Sequence, residues 1–385
     1  MSRGDRLATV AKFFDGARLT TARQLSGLRK TELAGMIAKS PAAVTAWESG
    51  RKRPSAETVG QLSMGLGVAP EFFTAGGSDV AALSTPHFRS LRSTTQLARD
   101  QAAAYGKIAL EISIALEKHV EFPAVDVPSL PVYLEQDSAA TPEDAARSLR
   151  ETWELGDGPV GHLVRILETH GVLVVFSPPQ ASTVDAYSFE SKVRPVVVLN
   201  PIKRDYYRQR FDVAHELGHL VMHTDSEPGG RVIEDQANRF AAELLMPRNQ
   251  LLPLLPASMG KDAWGRLARL KEEWGVSLQA LLYRARQLGC LSDVSYRNAM
   301  MVLSSRGWRR EEPGRVKILE QPSLMPRAVA LLDEDGIEVP VLVEESCVPD
   351  SLFEVATARA PGIGANEHPE EDGSRKVVSL LPYLK

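Results

Sequence analysis

Residues 211–223 read FDVAHELGHLVMH, and the fold turns on whether this stretch is one helix. On an α-helix, residues four apart share a face, with their Cα atoms about 6 Å apart along the axis. His215 and His219 then aim two imidazole nitrogens at a single ion, and Glu216 lies beside that face. This is the His-Glu-x-x-His pattern in which a carboxylate serves as general base toward water activated by a divalent ion. Zinc lowers the pKa of such a water to about 7.

A third ligand is expected at Glu234, which opens the EDQAN stretch fifteen residues after His219. Two imidazoles and one carboxylate leave a coordination position open, as catalytic zinc sites do. Asn238, one helical turn beyond Glu234, can hydrogen-bond a ligating histidine and fix its tautomer. His223 continues the four-residue spacing, but a straight helix puts it about 12 Å from His215 along the axis. It therefore reads as a second-sphere or packing residue. Asp235 points about 100° away from Glu234 and reads as a solvated charge at a helix start. The longer pattern with glycine and a third histidine fails, because Met222 and Asp225 stand at those positions. Gly218 and Ala214 are expected to let neighbouring backbone pack close. Tyr187, Tyr206, Tyr207 and His162 could steady an oxyanion, but each reads better as a packing residue.

The 385 residues call for two or three domains, and 43% apolar with 24% charged content describes a globular chain. No apolar run approaches the ~18 residues of a membrane span, and no secretion signal opens the chain. Cys290 and Cys347 are far apart and read as buried, reduced thiols. A cytoplasmic location is expected. The net charge of −4 is uneven: residues 17–75 hold eight basic and four acidic side chains, so this segment is +4 and the remainder −8. A basic module on an acidic body points to a local nucleic-acid contact.

Residues 17–75 read as short helices. Ser40 and Pro41 open one that Gly50 closes, and Ser55 opens another that Gly67 closes. GGSDVAALSTPHF, residues 76–88, has linker composition. A helix over 95–121 places Ile108, Ile112 and Leu116 in register, and FPAVDVPSLPVYL then breaks it. TPEDAARSLRETW and PVGHLVRILETHG read as helices, followed by three strands, VLVVFS, VDAYSF and PVVVLN. Helices follow through residue 290, then short helices and strands to about 358, then a tail with little to bury.

RPVVVLNP, FDVAHELGHLVMH and EDQANRFAAELLMP closely resemble the ImmA/IrrE metallopeptidases, over about residues 141–290. The resemblance implies a gluzincin-like fold, with a small twisted sheet packed on the two motif helices. It implies that PVVVLN is an edge strand holding a substrate peptide by β-augmentation. It places metal ligands at His215, His219 and Glu234 and the catalytic glutamate at Glu216. Members of this family cleave repressor proteins and so release stress or mobile-element genes.

Residues 18–73 resemble the XRE family of Cro/repressor helix-turn-helix domains. The second helix falls at 31–38 and the recognition helix at about 41–49. The recognition helix would offer Ala42, Ala43, Thr45 and Ala46 to base edges. Lys30, Lys39, Arg51, Lys52 and Arg53 would reach phosphates. Val44, Trp47, Leu33 and Leu62 read as core, and Glu48 as the partner of a basic neighbour. Ala38 and Lys39 replace the family's glycine and apolar residue, so a looser turn is expected.

The expected architecture is mainly α with a small sheet, an α+β class. A five-helix Cro/repressor-like domain (1–80) leads through a linker and connecting helix (81–140) to a gluzincin-like metallopeptidase domain (141–290). A small helical C-terminal region (291–358) and a flexible tail (359–385) follow. The expected function is a DNA-binding transcriptional regulator whose zinc-dependent endopeptidase cleaves a repressor; manganese would suit the same ligands. The expected partners are operator DNA and a repressor protein, with no membrane, and a homodimer is compatible with them. The alternative is a non-enzymatic DNA-binding regulator or antitoxin whose metal domain senses or stabilises.

Overall fold

The computed structural model describes residues 3–74, 87–88, 95–132, 140–178, 186–202, 205–223, 230–260, 262–314 and 317–359. Most of the 76–88 linker, the first two residues of VDAYSF, the loop carrying Asp225 and the tail beyond 359 lie outside them.

The first five helices are α1 (Arg3–Lys12), α2 (Gly16–Leu25), α3 (Lys30–Met36), α4 (Pro41–Glu48) and α5 (Ala56–Leu66), ending in a 3-10 turn at Pro70–Phe73. The expected caps operate: Ser40 accepts from the Ala43 amide, Ser55 accepts from the Thr58 amide, and Gly67 closes α5 in the left-handed region. Val44, Trp47, Leu33 and Leu62 are buried, as the spacing requires. The sequence reading gave this domain residues 1–80 but read its helices only from about residue 17. It missed α1, which packs against α5 through Val10.

A two-residue strand β1 (His87–Phe88) precedes α6 (Gln96–Leu116), capped by Thr95. The chain continues through α7 (Pro142–Thr152), α8 (Leu163–Thr169), β2 (Leu173–Phe176), β3 (Ala186–Phe189) and β4 (Val196–Leu199). Then come α9 (Tyr206–Met222), α10 (Arg231–Leu245), α11 (Arg248–Leu251), α12 (Ala263–Trp274) and α13 (Leu278–Gln287). The last described elements are α14 (Asp293–Ser305), α15 (Leu324–Glu334), α16 (Val339–Ser346) and α17 (Asp350–Thr357). The predicted C-terminal strands are thus helices among the described residues. No helix is long and apolar enough to cross a membrane. Cys290 and Cys347 are free thiols, half-buried where full burial was expected.

The sheet order is β1-β3-β4-β2, with β2 parallel to β4 and β3 antiparallel to it. The expectation that PVVVLN forms an edge fails: β4 is paired on both sides, because β2 and β3 reach it from opposite directions. Strand alternation sends two sets of side chains to two cores. Val174, Phe176, Ala186, Val197 and Leu199 join the core around α9 and α10. Leu173, Val175, Tyr187, Phe189, Val196 and Val198 join the core around α6.

Helix α6 is more than a connector. Its core also takes in the N-terminal helices and the apolar faces of α15, α16 and α17. A Cβ on Gly106 would stand 2.3 Å from the Phe189 ring, so glycine is what lets α6 approach the sheet. Tyr105 donates to the Phe176 carbonyl at 2.9 Å, and Tyr187 donates to the Ala102 carbonyl at 2.7 Å. On the other side of α6, Arg18 of α2 meets both oxygens of Glu111 at 2.6 and 2.7 Å, with both side chains buried.

Candidate metal centre and nucleic-acid interface

Helix α9 starts at Asp205, whose carboxylate accepts from the Tyr207 and Arg208 amides. From Gln209 onward it is buried except at Phe211. Arg210 anchors its first half by an ion pair to Glu320 and by donation to the Val160 carbonyl at 2.8 Å. Helix α10 crosses α9 with Phe240 seated on Gly218, where a Cβ would come within 2.9 Å of the ring. The close approach expected at Gly218 is thus to an aromatic side chain, not to backbone. Two pairs hold α10 from behind: Arg239 reaches both oxygens of Glu143 on α7 at 2.9 and 2.6 Å, and Arg284 on α13 pairs with Glu243.

These elements bring His215, His219 and Glu234 together. One donor atom from each lies within 4.8 Å of the other two, the one such group among the described residues. The Nε2 atoms of His215 and His219 are 3.1 Å apart. Glu234 places Oε2 at 3.3 Å from His215 Nε2 and Oε1 at 3.6 Å from His219 Nε2. Its Oε1 is buried with no hydrogen-bond partner among the described residues. A buried carboxylate oxygen facing two converging imidazole nitrogens is the donor set of a divalent transition ion, so the residues present fit a metal.

The supporting residues fall where spacing put some of them. Asn238 Oδ1 is 3.1 Å from His215 Nδ1. His223 is outside the donor group, with Nδ1 3.0 Å from His219 Nδ1. Burial lowers its imidazole pKa, which keeps the ring neutral near pH 7. Asp235 is exposed. Two residues were missed. Gln236 Oε1 is 2.9 Å from His223 Nε2. Ser188 on β3 donates to Glu216 Oε2 at 2.7 Å, with both residues fully buried. Ser188 alternates with Tyr187 and shares the face of Ala186, so strand parity alone could have pointed its hydroxyl at α9.

The oxyanion candidates are engaged elsewhere. Tyr187 faces α6, on the opposite side of the sheet from Ser188. Tyr207 donates to Glu272 at 3.0 Å, and Tyr206 packs edge-on against it at the far end of α9. His162 caps α8 by accepting from the Arg165 amide.

At the other end of the chain, Ala42 is exposed, and Ala43, Thr45 and Ala46 are half-buried. The Thr45 hydroxyl donates to the Pro41 carbonyl at 3.0 Å, leaving its oxygen as an acceptor. Lys39, Arg51, Lys52 and Arg53 are exposed, with Arg53 donating to the Lys12 carbonyl and Arg51 to Ser49. Lys30 is drawn to Glu48 at 3.0 Å, and Arg23 pairs with the same carboxylate at 2.6 Å. Part of the segment's positive charge is thus consumed internally. The looser turn expected at Ala38 is not found. Ala38 adopts φ 52°, and the Lys39 amide closes on the Ala34 carbonyl at 2.9 Å.

The family model for the IrrE N-terminal-like domain matches residues 167–286, and the helix-turn-helix family model matches residues 19–73. No curated protein matches the chain. The chain therefore joins an XRE-type helix-turn-helix to an IrrE/ImmA-like domain that is metallopeptidase-like.

Proposed function

We propose that this chain is a DNA-binding transcriptional regulator that hydrolyses a repressor protein with a zinc-dependent endopeptidase site. Residues 1–80 serve the DNA and residues 141–290 the hydrolysis, and an operator-bound role places the protein in the cytoplasm. The observation that carries the reading is the convergence of His215, His219 and Glu234, with Glu216 buried one residue along the same helix. His215, His219 and Glu234 would hold the ion, zinc by preference, with manganese tolerated by the same donors. When bound, the ion supplies Lewis acidity toward water and the scissile carbonyl.

Glu216 accepts a proton from the attacking water and returns it to the leaving amine. Ser188 holds the Glu216 carboxylate in one rotamer through its hydroxyl. Asn238 and His223 orient the two imidazoles. Lys39, Arg51, Lys52 and Arg53 contact phosphates, with Lys30 contributing least because Glu48 competes for it. Thr45 and the alanines at 42, 43 and 46 meet base edges, a thin direct readout that suits a short or degenerate operator.

The test is a Glu216→Gln variant incubated with repressors encoded beside this gene. The variant should keep its metal and lose cleavage. Equal cleavage by the variant would sink the assignment. A second reading, a metal-sensing or metal-stabilised regulator without hydrolysis, draws on the complete burial of His215, Glu216 and His219. It predicts normal operator control by Glu216→Gln and no cleavage by either protein.

A further inference from the structure

Gln236 ends a chain of contacts that begins at a proposed metal ligand. We propose that Gln236 is a positioning residue which, acting through His223, determines which ring nitrogen of His219 is free to face the ion. The proposal rests on His219 being a metal ligand.

Gln236 is buried, and its Oε1 lies 2.9 Å from His223 Nε2. An amide oxygen only accepts, so His223 carries its proton on Nε2. A neutral imidazole has a single N–H, which leaves His223 Nδ1 an acceptor. His219 Nδ1 sits 3.0 Å from that atom. Two bare lone pairs at this distance would repel, so His219 must be protonated on Nδ1. Its Nε2 is then bare, and it points to the place shared with His215 Nε2 and Glu234.

Reversing the Gln236 amide reverses every step. Its N–H would donate to His223 Nε2, the His223 proton would move to Nδ1, and His219 would be protonated on Nε2, where a metal must bind. The amide orientation is therefore a selector between a binding and a blocked form of the site. His215 is set differently: a single amide oxygen, Asn238 Oδ1, faces its Nδ1 directly. Helix α10 thus supplies the carboxylate at 234 and two amide oxygens, at 236 and 238, that set both imidazoles.

The test uses the full chain, with ring-nitrogen protonation read by long-range proton–nitrogen NMR and zinc affinity read by competition with a chelator. Zinc-loaded wild type should show His219 protonated on Nδ1 and His223 on Nε2, the ion separating the His215 and His219 Nε2 lone pairs that lie 3.1 Å apart. Gln236→Met fills a similar volume without an oxygen; it should lose that assignment and weaken zinc by about 10- to 100-fold. Gln236→Glu keeps an accepting oxygen and should retain both the tautomers and the affinity. If Gln236→Met keeps wild-type tautomers and affinity, or if Gln236→Glu loses as much as Gln236→Met, the proposal is wrong. His219→Ala separates the two readings. Should it bind zinc as wild type does, the metal assignment falls, while the His223 ring proton in Gln236→Met, compared with wild type, still judges the relay.

Discussion

The metal group and the recognition helix α4 solve opposite problems with the same chain. In the proposed metal group, both imidazoles are fixed twice. His215 is held by α9 and by Asn238, His219 by α9 and by His223, and α10 is clamped from behind through Arg239 and Arg284. Along α4 the side chains expected to meet DNA are short, and the charges stand on exposed turns at Lys39 and Arg51–Arg53. An ion with bonds of about 2 Å demands directional ligands. A phosphate array demands charge in the right neighbourhood, and long side chains can find it after contact. Rigidity is concentrated where the chemistry is directional.

That contrast in local rigidity does not make the two halves independent, and the largest expected effect tests this. Glu111→Ala would leave Arg18 buried without its partner, a change that typically costs about 3–5 kcal/mol. Because α6 lies in one core with the N-terminal helices, the sheet and α15–α17, urea should unfold the variant in a single earlier transition. Tryptophan fluorescence, to which Trp47 contributes from the N-terminal helices, and far-ultraviolet circular dichroism should report it together. Two separated transitions would show that the DNA-binding domain melts alone and would break the shared-core account.

Within the metal half, Ser188→Ala sharpens the division between holding the ion and moving the proton. The Ser188 hydroxyl touches Glu216 and no proposed ligand. Freeing the carboxylate should slow peptide cleavage by about ten- to a hundredfold while zinc affinity stays at the wild-type value. A parallel fall in zinc affinity would mean that Ser188 acts on the whole site, not on the base.

The clamp behind α10 gives a pH-dependent counterpart. Burial pushes the Glu143 carboxyl up, but hydrogen bonds and charge, chiefly from Arg239, outweigh it and hold the pKa below the usual value. A carboxyl depressed in the folded state adds stability above its unfolded pKa of about 4.3 and loses it as pH falls through the folded value. Wild type should therefore exceed Glu143→Gln in urea midpoint by a constant margin from about pH 7 to 5, shrinking below about pH 4. A margin that persists undiminished into acid would show that the ion pair contributes nothing.

How much of this was legible in the sequence depended on whether the information was local. Four-residue spacing placed His215 and His219 on one face and Asn238 one turn beyond Glu234, because helix geometry is fixed by neighbours in the chain. Gln236 was not legible. Its partner lies on another helix, and no periodicity reports which residue ends α9 beside it. The order of strands was hidden for the same reason: PVVVLN is as apolar as an edge or a central strand could be, and only β2 and β3 together decide it. The burial of α6 left a fainter trace. Ala102, Ala104, Gly106 and Ala109 are small residues spread around the helix, which suits an element packed on more than one side.

The smallest expected effect concerns the DNA half and the turn between α3 and α4. Ala38 sits at φ 52°, a region that costs a residue with a Cβ about 1–2 kcal/mol. Ala38→Gly removes that cost but widens the unfolded ensemble by about 0.4–1 kcal/mol. The net gain should lie between zero and about 1.6 kcal/mol, visible as a small rise in urea midpoint. Operator affinity and its salt slope should not change. Lys39 and Arg51–Arg53 keep their places, and the Lys39 amide already closes the turn on Ala34. If glycine instead tightens binding at constant salt slope, the strain at Ala38 reaches α4 and sets the angle at which it meets the groove. The recognition helix would then share the directional precision that separates the metal group from it.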